Sequence, residues 1–213
     1  STPSLHSFSL TVIPKNDRPI FDSLSDPPAI LEDSGEHSIT ISGISANGDT
    51  GETLILSALS SNTHLIPNPT ISYSSGDSSA ILFYTPNNNT YGSTLISVFL
   101  SDGSLNSSDS FTITVNPEND RPTFNYILNP PSIDEDSGDH SITISGISTN
   151  GDIAETLTLT ATTVDTSLIT QPVVTYTSAN DIGTITFSPK ENQFGSAIIN
   201  VAITDSQLTS SQN

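Results

Sequence analysis

The sequence predicts an all-β chain made of two tandem units of one design, and three observations predict it. Apolar residues alternate with Ser and Thr at period two, as in Ser38-Ile39-Thr40-Ile41 and Phe111-Thr112-Ile113-Thr114-Val115, the pattern of half-buried strands. No apolar series keeps a 3.6-residue period long enough for a helix. Sliding the chain on itself by 103 positions aligns EDSGEHSITISGISANGD, from Glu32, with EDSGDHSITISGISTNGD, from Glu135, and self-similarity at a fixed period marks an array of copied modules.

The offset needs no gap. It pairs Pro86 with Pro189, Tyr91-Gly92 with Phe194-Gly195, and Asp102 with Asp205. It also maps SFSLTVIPKNDRP, from Ser7, onto SFTITVNPENDRP, from Ser110, so the chain opens on the tail of a preceding unit. The expected division is the last strand of a preceding repeat over 1–16, a first repeat over 17–119, and a second over 120–213 that lacks its last strand. A module of about 100 residues buries a core of its own, which a 30-residue solenoid unit does not.

Within the first copy, strands are expected at 20–31, 37–44, 53–60, 69–73, 80–85, 94–101 and 109–116, and again 103 residues later. The strand at 37–44 turns Ile39 and Ile41 inward, 53–60 Leu54 and Leu56, and 80–85 Leu82 and Tyr84. Those at 94–101 and 109–116 add Ile96, Val98, Leu100, Ile113 and Val115. Gly, Pro, Asn and Asp turns separate them, Asn47-Gly48-Asp49 among others. Seven short strands of β-branched residues over such a length read as an immunoglobulin-like seven-strand β-sandwich, here in tandem, head to tail. Phe83 and Phe99 fall on the opposite faces and have Thr186 and Ala202 as counterparts, so exposed aromatics in one copy offer a contact for a partner chain or glycan.

Charge narrows the partners. There are 23 acidic side chains against Lys15, Arg18, Arg121 and Lys190, a formal net charge of −19. That balance repels nucleic acid and anionic lipid heads, and no stretch approaches the ~18 apolar residues of a membrane span. Cysteine is absent, which removes disulfides and thiolate metal sites. Ser, Thr, Asn and Gly fill exposed positions, a bias of secreted surface proteins. No catalytic constellation is present: serines lack a matched histidine in both copies, and no Gly-rich phosphate loop opens a helix. The chain is therefore expected not to be an enzyme.

Two segments carry a family resemblance: SVFLSDGSLNSSDSFTITVNPENDRPTF, from Ser97, and the EDSG turns at Glu32 and Glu135. Together they resemble cadherin repeats, with Asn16-Asp17-Arg18-Pro19 and Asn119-Asp120-Arg121-Pro122 in the linker positions. FYTPNNNTYGSTLISVFLSDG and its copy TFSPKENQFGSAIINVAITDS are closer to the cadherin-like and immunoglobulin-like tandem repeats of large bacterial surface adhesins. The sequence departs from animal cadherins in lacking their D-R-E calcium motif and adhesive tryptophan. It also has Asn47-Gly48-Asp49 and Asn150-Gly151-Asp152 where they carry paired aspartates.

The resemblance implies calcium, a hard cation taking six to eight oxygen ligands from irregular loop cages. The implied junction site is Glu32, Asp33, Glu118, Asn119, Asp120, Asp152 and Asp205. Asn16, Asp17, Asp49 and Asp102 form an N-terminal half site, and Glu135 with Asp136 a C-terminal one. Calcium there would act as a strut in an extracellular, cell-surface stalk that is part of a long adhesive fibre. The alternatives are a carbohydrate-binding module and a passive spacer without an ion. Loop acids are also ordinary turn formers, and Arg18 and Arg121 offer ion pairs to the linker aspartates. His37 and His140 are read as half-exposed strand residues, and the glycosylation patterns at Asn88 and Asn106 matter only in a host that glycosylates. The implied partners are neighbouring repeats of the same array and a surface glycan or protein ligand. The sequence reads as a segment of a longer array; the sharper expectation is that the leading strand of one copy completes the last sandwich of another by strand addition.

Overall fold

Alternating Ile, Leu, Val and Phe fold into thirteen strands in the computed structural model, which describes residues 6–153 and 155–212. No described residue is helical, as the missing 3.6-residue period requires. The chain divides into two units, one of Ser1–Asn87 and Tyr91–Asn116, the other of Asn88–Thr90 and Pro117–Asn213.

The first unit holds β1 (Ile30–Leu31), β2 (His37–Ser42), β3 (Ile55–Ser60), β4 (Thr70–Ser72), β5 (Ser79–Tyr84), β6 (Gly92–Ser101) and β7 (Asn106–Asn116). One sheet runs β1-β7-β6-β3 and the other β2-β5-β4. All pairings are antiparallel except β1 with β7, where Ile30 meets Val115 and Leu31 meets Asn116 in parallel. Both sheets feed one core, with Ile41, Leu82 and Tyr84 from the three-stranded sheet meeting Ile96, Val98, Leu100, Phe111, Ile113 and Val115 from the other. Ile39 and Leu56, expected in the core, are only partly buried against it. Leu65 and Ile66, which lie outside every strand, are fully enclosed instead.

The expected strand at 20–31 is split. Ile20 bridges Ser45 and the Asp22 amide donates to the Ser42 carbonyl, so the segment starts beside β2; only Ile30 and Leu31 then pair, on the other sheet. Pro27 and Pro28 lie between these stretches and have no N–H to continue a ladder. Beside that crossing Gly43 adopts φ +68°, with the Asp22 carboxylate packed where a Cβ would project. The second unit repeats the arrangement with Gly146 at φ +68° and the Asn125 amide, 2.6 Å from the same point.

The second unit holds β8 (His140–Ser145), β9 (Thr158–Thr163), β10 (Val173–Thr175), β11 (Ile182–Phe187), β12 (Ile199–Thr204) and β13 (Thr209–Gln212), in sheets β10-β11-β8 and β13-β12-β9. Its core is smaller, centred on Ile144, Leu157, Leu159, Ile185, Val201 and Ile203. The last strand, expected to be missing, is present as the four residues of β13, because the equivalent strand in the first unit already starts at Asn106 rather than 109. No counterpart of β1 forms at Ile133: its parallel partners in the first unit, Val115 and Asn116, have their equivalents past residue 213. Phe8 to Val12, expected as a strand, carries no strand and is exposed along its length, whereas residues 1–5 lie outside the described residues.

Candidate functional site

Each unit gathers carboxylates at the loops that follow β2 or β8, precede β3 or β9, and close the β6–β7 or β12–β13 hairpin. In the first unit the Asn16 amide donates to Asp102 Oδ2 at 3.1 Å, and the Asp17 backbone amide donates to Asp49 Oδ2 at 2.6 Å. In the second, Asn119 donates to Asp205 Oδ2 at 3.1 Å, and the Asp120 amide donates to Asp152 Oδ2 at 2.6 Å. The predicted residues Asn16, Asp17, Asp49 and Asp102 are thus brought together, as are Asn119, Asp120, Asp152 and Asp205.

These aspartates also shape their own loops. Asp102 Oδ1 accepts the amides of Ser104 and Leu105, each at 2.7 Å, and Asp205 Oδ1 accepts those of Gln207 and Leu208 at the same distance. Hydrogen bonds from Leu105 and Ser104, with a further one from Asn16, hold the Asp102 carboxyl below its ordinary range. Burial pushes Asp205 upward, but the amides of Leu208 and Gln207 and the Asn119 side chain outweigh it, and the net direction is also down.

A residue that sequence reading passed over completes each cluster. Glu52 is pushed up by burial and then by the charges of Asp102 and Asp49; Glu155 is pushed up by burial and then by Asp152, Asp205 and Asp120. In each glutamate Oε2 is closed off from solvent and accepts no hydrogen bond. The signal was available, since Glu52-Thr53-Leu54 and Glu155-Thr156-Leu157 recur at the 103-residue offset, immediately before β3 and β9. It was missed because a lone glutamate at a strand entry looks like solvent-facing polarity.

The other predicted ligands are placed differently. Glu32 is buried just after β1, its amide donating to the Asn116 carbonyl at 3.0 Å, and Asp33 beside it is exposed at φ 59°. Glu118 is exposed. Glu135 and Asp136 are exposed too, and Asp136 Oδ1 accepts the Asn192 amide at 3.0 Å. The contrast with Glu32 follows from the fold, because the β1–β7 ladder that carries Glu32 is not formed around Glu135.

The arginines do something else than the expected neutralisation. Arg18 donates to the Asn106 carbonyl at 2.7 Å and Arg121 to the Thr209 carbonyl. Ser107 and Ser210 return the favour in chemical kind, donating to the carbonyls of Pro19 and Pro122. Each Asn-Asp-Arg-Pro linker is thereby fastened to the start of the last strand of the unit it leads into. His37 stacks on Tyr84 with ring centroids 5.7 Å apart, and its Nε2 lies 2.7 Å from the Ser34 hydroxyl, a strand-end packing role matching the reading of it as structural. Phe83 is half-buried and Phe99 exposed, on the faces expected of them.

No family model and no curated protein matches the chain. Among solved structures, it is similar to an endo-fucoidan hydrolase of glycoside hydrolase family 107, MfFcnA4, at 17% identity and TM-score 0.37, over 94% of this chain and 28% of that one. It is similar to the titin domains z1z2 in complex with telethonin at 16% identity and TM-score 0.37, over 92% and 94% of the two chains. Domains 1–6 of the surface layer protein SbsC give 12% identity and TM-score 0.31, over 90% and 24%. At these scores the all-β assignment rests on the chain's own strands. Among the described residues, no helix is long and apolar enough to cross a membrane.

Proposed function

We propose that the chain is a non-enzymatic, extracellular structural module: a stalk of immunoglobulin-like, cadherin-like sandwiches in a long surface fibre, with calcium held by its acidic loop clusters. The observation that carries this reading is the recurrence, in both units, of a carboxylate cluster whose glutamate, Glu52 or Glu155, has an enclosed oxygen without a hydrogen-bond partner. Like charges this close repel one another. The nearest guanidinium groups donate to backbone carbonyls instead of to these acids. A divalent cation replaces that repulsion with coordination, and carboxylate, amide and backbone oxygens are the donor set calcium accepts.

Asp49, Glu52 and Asp102 would serve one such site, and Asp152, Glu155, Asp205 and Asp120 the other. Glu32, Asp33 and Glu118 extend the proposal to the junction between repeats on the strength of the sequence resemblance, and calcium there would stiffen the linker. Export to the cell surface and a distal glycan or protein ligand belong to the same proposal.

The test is thermal unfolding and small-angle scattering of the chain with calcium and with chelator, alongside Glu52→Gln and Glu155→Gln. Calcium should raise the melting temperature by several degrees, because a ligand held by the native state alone stabilises it. The double variant should lose most of that rise while melting no lower than the parent in chelator. Melting and particle shape that ignore calcium would leave a passive spacer, with the aspartates serving only their own turns.

A further inference from the structure

The second unit carries a groove of about 830 Å³ bordered by Ile133, Ile142, Phe187, Ile199 and Gln212. Its place in the fold is defined by the first unit. There β7 pairs with β6 from Asn106–Ser101 all the way to Val115–Gly92, and turns Phe111, Ile113 and Val115 into the core, all buried. In the second unit β13 pairs with β12 only from Thr209–Thr204 to Gln212–Val201. Beyond that point the side of β12 that β7 covers in the first unit has no strand among the described residues.

The surrounding residues differ accordingly. β6 runs from Gly92, but β12 starts at Ile199, and the intervening equivalents Gly195 to Ile198 form no ladder. Ile96 is fully buried in the first unit, whereas its equivalent Ile199 is half-buried and Ile198 is exposed. What fits is therefore legible from the first unit: an antiparallel strand with Phe, a branched aliphatic residue and Val at alternate positions, so that backbone pairing gives affinity and the alternate side chains give specificity.

The chain contains a second segment of that kind. Ser7-Phe8-Ser9-Leu10-Thr11-Val12 aligns with Ser110-Phe111-Thr112-Ile113-Thr114-Val115. It forms no strand, and Phe8, Leu10 and Val12 are 92%, 78% and 83% exposed. We propose that the Ser7–Val12 segment of one copy of this chain adds as a strand to β12 in the second unit of another copy, placing Phe8, Leu10 and Val12 where Phe111, Ile113 and Val115 sit in the first unit. The contact joins different surfaces on the two copies, so it repeats head to tail into open filaments rather than closing as a dimer. It is independent of any calcium site.

Sedimentation of the chain over a range of concentrations tests this. The parent should grow from monomer to dimer and longer species as concentration rises. Phe8→Asp and Val12→Asp, at positions where the fold buries nothing, should each weaken association by roughly tenfold or more. A free peptide of residues 7–14 should cap the groove and return the parent to monomer. A chain carrying an additional copy of residues 111–117 after Asn213 should fill its own groove and stay monomeric. Monomers at every concentration, or association unaffected by Phe8→Asp and by the peptide, would overturn the proposal.

Discussion

Glu52 and Glu155 tie the local chemistry of each unit to a pH response. A carboxyl whose folded-state pKa is raised costs stability above that pKa, and the cost is relieved as pH falls through it toward the ordinary glutamate value of about 4.3. Asp102, Asp109 and Asp205 run the other way: their lowered values contribute stability that is complete above the ordinary aspartate range and lost as pH falls below it. In chelator, the melting temperature should therefore rise on acidification from neutrality to about pH 5 and fall again below about pH 4. Glu52→Gln with Glu155→Gln should flatten the first limb and leave the second. Backbone geometry gives a separate residue-level prediction. At Gly43 a Cβ meets the Asp22 carboxylate at a positive φ, so Gly43→Ala should destabilise the first unit by about 2 kcal/mol in denaturant titration. An Asp22→Ala background should recover part of that loss.

Among the elements, β7 does most to distinguish the two units. It closes the larger sheet, and Ile113 at its centre is fully buried. Ile113→Ala should cost about 3 kcal/mol in the first unit. Strand positions were legible wherever alternation was clean: β2, β3, β5 and β6 fall within two residues of their expected bounds, because Ser/Thr against Ile/Leu/Val reports one wet and one dry face. The segment 20–31 was not legible as two pieces, since its change of sheet depends on which neighbours await Ile20 and Ile30 and not on its own composition. Leu65 and Ile66 escaped for a similar reason, being a loop turned into the core with no period to announce them. In the clusters, the aspartates were legible from turn sequences repeated at the 103-residue offset. Glu52 and Glu155 were not, because what sets them apart is enclosure, a property of the folded surroundings.

For the molecule as a whole, two separate cores of unequal size imply two unfolding steps. Calorimetry should resolve them, with the second unit melting first and Ile113→Ala moving only the upper transition. Docking of a strand into the groove should raise the lower transition with protein concentration. The linker geometry also bears on proteolysis. A trypsin-like protease finds only four basic residues, and Arg18 and Arg121 each precede a proline and are fastened to a neighbouring strand. The Lys190 amide is held by the Leu168 carbonyl, whereas Lys15 stands exposed in a stretch without strand structure, the kind of site where nicking concentrates. A single cut after Lys15 would detach Phe8, Leu10 and Val12 while sparing both cores, so one proteolytic event would turn a chain able to donate a strand into one able only to accept it.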